Sequence, residues 1–141
     1  LIKAMQADGH EIGNHGYNHK LPTHISSDET RKEISTTDTI ITEITGTKPK
    51  LYAPPAGDFN KETLKTARSL GYKTIMWSID TIDWRDKDTE KIQNRVMKNL
   101  KPGAFVLMHP TANTLEALKS MISQIKEQGY TFKTVSEMLE I

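Results

Sequence analysis

The stretch Ala104-Phe105-Val106-Leu107-Met108-His109-Pro110 decides the fold class, because an unbroken apolar run leads directly into a residue that can carry chemistry. A continuous apolar run of this length predicts a strand that is buried on both faces, as is typical of parallel sheets. The strand is expected to follow the turn Lys101-Pro102-Gly103 and to stop at His109-Pro110, because proline supplies no donor to a strand ladder.

Outward from this stretch, helical and strand-like segments alternate. Helical periodicity and capping residues, with Ser27 and Asn60 as N-caps, predict helices at residues 1–8, 27–46, 61–70, 89–100, 114–128 and 134–139. Strands are expected at residues 10–14, 50–53, 72–79 and 104–108. The apolar residues expected on the core faces of the third and fifth helices are Leu64, Ala67, Leu70, Leu115, Leu118, Met121, Ile122 and Ile125. The helical segments that connect successive strands are long enough for neighbouring strands to run parallel, so the fold class is α/β.

Polar residues gather just after each of the four expected strands. These clusters are His15 with His19, residues 54–57, residues 80–84 and His109. Active sites of α/β proteins form at the carboxyl ends of parallel strands, both in barrels and in doubly wound sheets. The pattern alone does not separate these two architectures, but four clusters at one rim favour a barrel.

Composition excludes several classes of function. The 141 residues suffice for one domain, and 19 basic residues against 18 acidic ones give a net charge of +1. No basic run is dense enough to bind nucleic acid, and no apolar run is long enough to cross a membrane. The absence of cysteine excludes disulfides and a thiol nucleophile. We therefore expect neither a nucleic-acid partner nor a transmembrane segment.

The candidate site residues each have a plainer interpretation when taken one at a time. His15 and His19 could bind one metal ion, or they could be two loop histidines. His109 could be a strand-end histidine bonded to a carbonyl. Asp80 and Asp83 could be turn or cap residues, and this interpretation is favoured for Asp80. Tryptophans are more often core or rim residues than substrate platforms, and Pro54-Pro55 could be a rigid turn.

Four short motifs nevertheless stand in an informative order. They are His15-x-x-x-His19, Ala53-Pro54-Pro55-Ala56-Gly57, Asp80-x-x-Asp83-Trp84 and Leu107-Met108-His109-Pro110. Their order resembles motifs two to five of the polysaccharide deacetylases, also known as carbohydrate esterase family 4 or the NodB-homology group. Because the motifs span most of the chain, their joint occurrence is more specific than any single one.

The resemblance implies a distorted parallel (β/α) barrel that holds one divalent metal ion, with zinc first and cobalt or nickel as alternatives. His15 and His19 would be the two imidazole ligands. The aspartate ligand and the aspartate base belong to the family's first motif, and nothing in residues 1–10 matches that motif. We therefore expect residues 1–141 to be the C-terminal major part of a single catalytic domain. Its first strands and both aspartates would lie upstream.

The resemblance also implies hydrolytic removal of N-acetyl groups from amino sugars of peptidoglycan or a chitin-like glycan. The backbone N–H of Ala56 would bind the oxyanion, His109 would protonate the leaving amine, and Asp83 would orient the ring of His109. The expected substrate-binding residues are Trp84, Leu107, Pro54, Pro55 and Tyr52, with Trp84 and Leu107 as walls of the acetyl-methyl pocket.

Three positions depart from the family pattern. Ala53 replaces an arginine that normally pairs with the base, Ala56 replaces a tyrosine or similar residue, and Gly16 replaces a serine or threonine. Two functions therefore stay open. One is a metal-dependent deacetylase whose activity is weakened by Ala53 and Ala56, and the other is a metal-containing pseudoenzyme that binds cell-wall glycan. In both cases the resemblance implies an extracytoplasmic bacterial protein.

Overall fold

A computed structural model describes all 141 residues, which form two compact units at Leu1–Met76 and Trp77–Ile141. The helices are α1 Ile2–Ala7, α2 Ser27–Thr45, α3 Lys61–Ser69, α4 Thr89–Asn99, α5 Ala112–Glu127 and α6 Val135–Leu139. The strands are β1 Leu51–Tyr52, β2 Lys73–Thr74, β3 Ile79–Asp80 and β4 Val106–Leu107. Single 3-10 turns occur at Pro22–His24 and Pro55–Gly57. No helix has the length and apolar character that crossing a membrane requires.

The first unit packs α2 and α3 against a two-stranded parallel sheet. In this sheet β1 pairs with β2, with Leu51 opposite Lys73, and Asn14 adds a single parallel bridge to Tyr52. The core beneath it is a cluster of buried residues: Ile34, Tyr52, Ala67 and Tyr72. The rings of Tyr52 and Tyr72 meet edge to face at 6.5 Å between centroids, a favourable aromatic geometry.

Helix ends in this unit follow from local capping. The Ser26 side chain accepts from the backbone N–H of Glu29, and the Glu29 side chain accepts in return from the Ser26 N–H. This capping box satisfies donors that the first helical turn cannot satisfy itself. Gly46 ends α2 with a left-handed φ of 72°, as the sequence predicts. The predicted cap at Ser27 is wrong by one residue.

Two further sequence predictions for this unit need correction. The strand expected at residues 10–14 is reduced to the bridge at Asn14, because only this residue exchanges backbone hydrogen bonds with Leu51 and Ala53. The core face of α3 consists of Thr63, Thr66 and Ala67, whereas Leu64 is exposed. Asn60 is the N-cap of this helix, as predicted.

The second unit packs α4 and α5 against the parallel pair of β3 and β4. Ile79 lies opposite Val106, and Asp80 lies opposite Leu107. The buried cluster of this unit is Ile79, Val96, Met121 and Ile125. The segment predicted as one strand over residues 72–79 is therefore two short strands, one in the sheet of each unit.

Burial in the second unit also differs from the sequence prediction. The apolar run at residues 104–108 is only partly buried along its whole length, and only Val106 and Leu107 are paired as strand. The core stripe of α5 is Thr114, Ala117, Met121 and Ile125, while Leu115 is 61% exposed. The stripe starts at a threonine rather than at a leucine because the Thr114 hydroxyl has a buried polar partner, described below.

Candidate functional site

The two histidines of the first motif lie together at the surface of the first unit. The ring centroids of His15 and His19 are 5.0 Å apart, with the planes at 70°. His15 Nδ1 lies 2.6 Å from the carbonyl oxygen of Ala53. Because a carbonyl can only accept, the hydrogen is on Nδ1, and the Nε2 lone pair is the one suited to a metal ion.

Every backbone N–H between the two histidines donates to a side chain. The Gly16 N–H donates to Asn14 Oδ1 at 3.0 Å. The N–H groups of Tyr17 and Asn18 both donate to Glu33 Oε2, at 3.1 Å and 2.6 Å, and the Asn18 amide donates to Oε1 at 2.9 Å. Burial alone would raise the pKa of Glu33, but the hydrogen bonds from Asn18 and Tyr17 and the charge of Lys20 bring the pKa below its usual value.

The beginning of this loop is anchored in the core by Asn14. Its buried amide donates to the carbonyl oxygen of Ile34 at 2.9 Å and to the hydroxyl of Tyr72 at 3.1 Å. Burial raises the pKa of Tyr72 to about 12, so its phenol is neutral at physiological pH. At the other end of the loop, His19 has a left-handed φ of 56°, a conformation that non-glycine residues seldom adopt.

The proline turn supplies the partner of His15 and the candidate oxyanion donor. The Gly57 N–H donates to the Pro54 carbonyl at 2.9 Å, and Ala56 is exposed with a left-handed φ of 54°. Tyr52, Pro54 and Pro55 are buried, which favours a packing role for their side chains over direct contact with a substrate. Their assignment to substrate binding stays a prediction.

Both histidines are of a type that binds zinc, and His15 has its Nε2 lone pair available, but the pair is not a complete site. Imidazoles whose second nitrogen donates to a carbonyl are common zinc ligands, and catalytic zinc has three protein ligands. No group of three His, Cys, Asp or Glu residues in the chain could hold a metal ion.

The second unit brings Asp83 and His109 together. His109 Nδ1 lies 2.7 Å from Asp83 Oδ1, and the His109 backbone N–H donates to Oδ2 at 2.6 Å. The Thr114 hydroxyl donates to the same Oδ2 at 2.7 Å. The Asp83 side chain is fully buried, whereas that of His109 is 42% exposed. A buried carboxylate therefore holds an accessible imidazole.

The charge of Asp83 is maintained by these contacts. Burial by itself would raise the pKa of Asp83, but hydrogen bonds from the His109 backbone, the Thr114 hydroxyl and the His109 ring lower it below the usual range. An ionised carboxylate at Oδ1 requires the hydrogen on Nδ1 of His109. Nε2 is then the nitrogen that can exchange protons with a substrate, as in other carboxylate–histidine pairs.

The remaining predicted residues of this unit lie beside the pair in sequence. Trp84 is 59% exposed, with the Arg85 guanidinium 6.0 Å from its ring centroid. Leu107 is half-buried in β4. Asp80 accepts from the Ile82 N–H at 2.8 Å, which is the predicted turn role, and Ile82 itself has a left-handed φ of 53°.

Sequence reasoning missed three supporting residues: Asn14, Glu33 and Thr114. Each is a polar residue that the structure buries. Glu33 lies next to the core residue Ile34 on α2. A charged residue beside the buried face of a helix is the one feature of the sequence that could have indicated its role. The sequence pattern predicts Thr114 only as the first residue of a helix.

Comparison with known proteins now identifies the family. The pattern that defines the polysaccharide deacetylases matches residues 1–75. The chain is also 39% identical to a peptidoglycan-N-acetylglucosamine deacetylase of Bacillus cereus, over 99% of this chain and 68% of the relative. The chain belongs to the polysaccharide deacetylase family. The predicted α/β fold class of the polysaccharide deacetylase type is thereby confirmed.

Other relatives of the chain in this family include a pseudoenzyme. The chain is 40% identical to the uncharacterized protein YlxY of Bacillus subtilis, over 99% of this chain and 44% of YlxY. It is 42% identical to BA3943 of Bacillus anthracis, described as a family 4 pseudoenzyme, with a TM-score of 0.93 over 98% of this chain and 49% of BA3943. The chain thus spans about half the length of several relatives it matches.

Proposed function

We propose that this chain is part of a metal-dependent hydrolase that removes N-acetyl groups from amino sugars of a cell-wall polysaccharide, peptidoglycan or a chitin-like glycan. The observation that carries the proposal is the Asp83–His109 pair, in which a buried, ionised carboxylate fixes the tautomer of an accessible imidazole. This arrangement suits an imidazole that transfers protons.

The proposed reaction is hydrolysis of an acetamide by water, giving acetate and a protonated amine. His109 would act in its imidazolium form, with Nδ1–H bonded to Asp83, and would donate the Nε2 proton to the nitrogen as the C–N bond breaks, because a free amide anion is too poor a leaving group. Asp83 would keep the ring oriented through its bond to Nδ1. The backbone N–H of Ala56 would donate to the oxygen on which negative charge develops.

His15 and His19 are the proposed metal ligands of this chain. When bound, a divalent ion, zinc or alternatively cobalt or nickel, supplies Lewis acidity that polarises the acetamide carbonyl and lowers the pKa of water from about 15.7 toward 7. The bond from His15 to the Ala53 carbonyl would hold its ring in place for that ion. The third ligand and the base would come from residues outside this chain.

The remaining assignments follow the same proposal. Trp84 and Leu107 would line the pocket for the acetyl methyl group. Residues 1–141 would form the C-terminal major part of a single catalytic domain, to which both units would belong. Relatives named as peptidoglycan deacetylases act on cell-wall polymer. We therefore assign this protein to the extracytoplasmic space of a bacterium.

The test is acetate release from N-acetylglucosamine oligomers and from peptidoglycan by the full-length protein loaded with zinc. Release that is lost in His109→Ala, and kept in His10→Ala, would support the proposal. His10 is a suitable control because it is exposed and belongs to none of the motifs. Release that persists in His109→Ala would refute the role of this histidine.

The second candidate function is a pseudoenzyme that binds cell-wall glycan without turnover. It is favoured by the similarity to BA3943 and by Ala53 and Ala56, which replace two family residues. A mutant of BA3943 has restored enzymatic activity. Retained glycan binding without acetate release at any zinc loading would support this second function.

A further inference from the structure

The loop that carries the two histidines is too short and irregular to be held by secondary structure. Only Asn14, just before it, takes part in a strand bridge. Gly16 and His19 both have left-handed φ values, of 79° and 56°. The position of the loop must therefore come from side chains of other elements.

The Glu33 carboxylate, projecting from α2, makes most of those contacts. One of its oxygens accepts from two successive backbone N–H groups, those of Tyr17 and Asn18, and the other accepts from the Asn18 amide. Successive N–H groups that converge on one oxygen form an anion-binding concavity. Glu33 fills it from inside the protein and is 8% exposed.

The neighbouring residue on α2 holds the other side of the loop. The Ile34 carbonyl accepts from the Asn14 amide, whose oxygen in turn accepts from the Gly16 N–H. Two consecutive residues of one helix thus fix the segment from Asn14 to Asn18. A charged residue is a costly choice for a site this buried unless its hydrogen bonds are needed.

We infer that Glu33 is a positioning residue for metal binding: its carboxylate holds the backbone turn that brings the rings of His15 and His19 to within 5.0 Å of each other. This inference rests on the metal site of the proposed function. Glu33 does not touch the ion in this role, and it acts through the peptide groups of residues 17 and 18. Outer contacts of this kind are worth about 10- to 100-fold in metal affinity.

The test compares two substitutions with a matched control in the full-length protein. Glu33→Met has similar length but no acceptor, so it removes all three hydrogen bonds. Glu33→Gln removes the charge but keeps one oxygen for the two N–H groups, and its amide can pair with a flipped Asn18 side chain. Glu43→Gln is the control, because Glu43 is an exposed residue of the same helix.

Zinc affinity is measured by competition with a chromogenic chelator, and amide hydrogen exchange is measured in the zinc-free protein. We expect the zinc dissociation constant to rise about 10-fold or more in Glu33→Met. We expect it to change much less in Glu33→Gln and not at all in Glu43→Gln. Exchange at Tyr17 and Asn18 should be faster in Glu33→Met and unchanged in α3.

The outcomes separate this inference from the proposed function. If the unsubstituted protein binds no zinc, the metal assignment and the inference both fail. If it binds zinc and Glu33→Met binds it equally well, only the role of Glu33 fails. Equal weakening in Glu33→Gln and Glu33→Met would show that charge rather than loop position matters, which would also overturn the inference. If Glu33→Met does not fold, Glu33→Ala takes its place as the variant without a side-chain acceptor, and its zinc affinity is compared with that of Glu33→Gln.

Discussion

Replacing Thr114 by valine is expected to lower the free energy of unfolding by about 2 kcal/mol. Valine has nearly the same shape as threonine, so it leaves no cavity. The change removes the 2.7 Å hydrogen bond from the Thr114 hydroxyl to Asp83 Oδ2, and with it the 2.8 Å hydrogen bond between the hydroxyls of Thr114 and Thr111. Thr114 is 2% exposed, so water cannot readily replace the lost donor. A hydrogen bond to a charged group contributes about 1.5–3 kcal/mol, and most of that should be lost.

The effect of Thr114→Val should depend on pH in a defined direction. The pKa of Asp83 is lowered in the folded state, so this group stabilises the protein above its unfolded pKa of about 3.9, and the contribution is lost as pH falls through the folded value. The variant lacks one donor that favours the ionised form, so its folded pKa is closer to the unfolded one. The difference in stability between the two proteins should therefore be largest near pH 7 and should shrink below about pH 4.

Urea denaturation followed by circular dichroism at several pH values measures this difference. Thr114→Ser is the matched control, because it keeps the hydroxyl and loses only a methyl group, at a cost of about 1 kcal/mol. If Thr114→Val were as stable as the unsubstituted protein at pH 7, or if the serine and valine variants were equally destabilised at every pH, the Thr114 hydroxyl would not support Asp83 and the reasoning would be wrong.

Three further outcomes are expected. Gly16→Ser should lower the free energy of unfolding, measured by urea denaturation, by about 1–2 kcal/mol, because a serine is strained at a φ of 79°. Steric clash is not the cause, since the added Cβ would meet only ordinary contacts, the nearest at 3.5 Å. Equal stability would contradict this account of the loop. Ala53→Arg should raise acetate release by the zinc-loaded protein if the arginine missing from the third motif limits the base, and an unchanged rate relative to Ala53→Met would count against that explanation. Asn60→Ala should cost about 1 kcal/mol of stability because Asn60 Oδ1 accepts from the Thr63 N–H at 2.9 Å, whereas Asn60→Asp should cost little; equal losses would show that the cap is not the cause.

Helices were predictable because their signals are local. The periodicity and the caps of α3 and α4 fall within a residue or two of their predicted bounds, since a cap residue and its partner are three positions apart in sequence. Strands were less predictable. Residues 72–79 look like one continuous strand in the sequence, yet the two ends of this segment pair with different strands. The strands they pair with are distant in sequence, so no local pattern shows where one strand ends and the next begins.

The candidate site shows the same contrast between local signals and contacts that are distant in sequence. The residues proposed to perform chemistry, such as His15 and His109, could be proposed from the sequence because their motifs are contiguous. The residues that hold them were not, because Glu33 and Thr114 act across 15 and 31 positions of the chain and resemble ordinary helix residues in isolation. The buried hydroxyl of Thr114 also explains why the core face of α5 was misassigned: an apolar criterion cannot select a threonine whose partner is a distant carboxylate.

Backbone strain is distributed unevenly in this chain. Four non-glycine residues have left-handed φ values, and one of them, Glu140, simply ends the last helix. The other three are His19, Ala56 and Ile82, and they lie in the histidine loop, in the proline turn and immediately before Asp83. Left-handed backbone costs roughly 1 kcal/mol or more at such residues, most of all at the β-branched Ile82. Glycine at position 56 or 82 would relieve that cost. A search for stabilising substitutions would therefore select the segments assigned to function first, and it would loosen the peptide groups that those segments keep fixed.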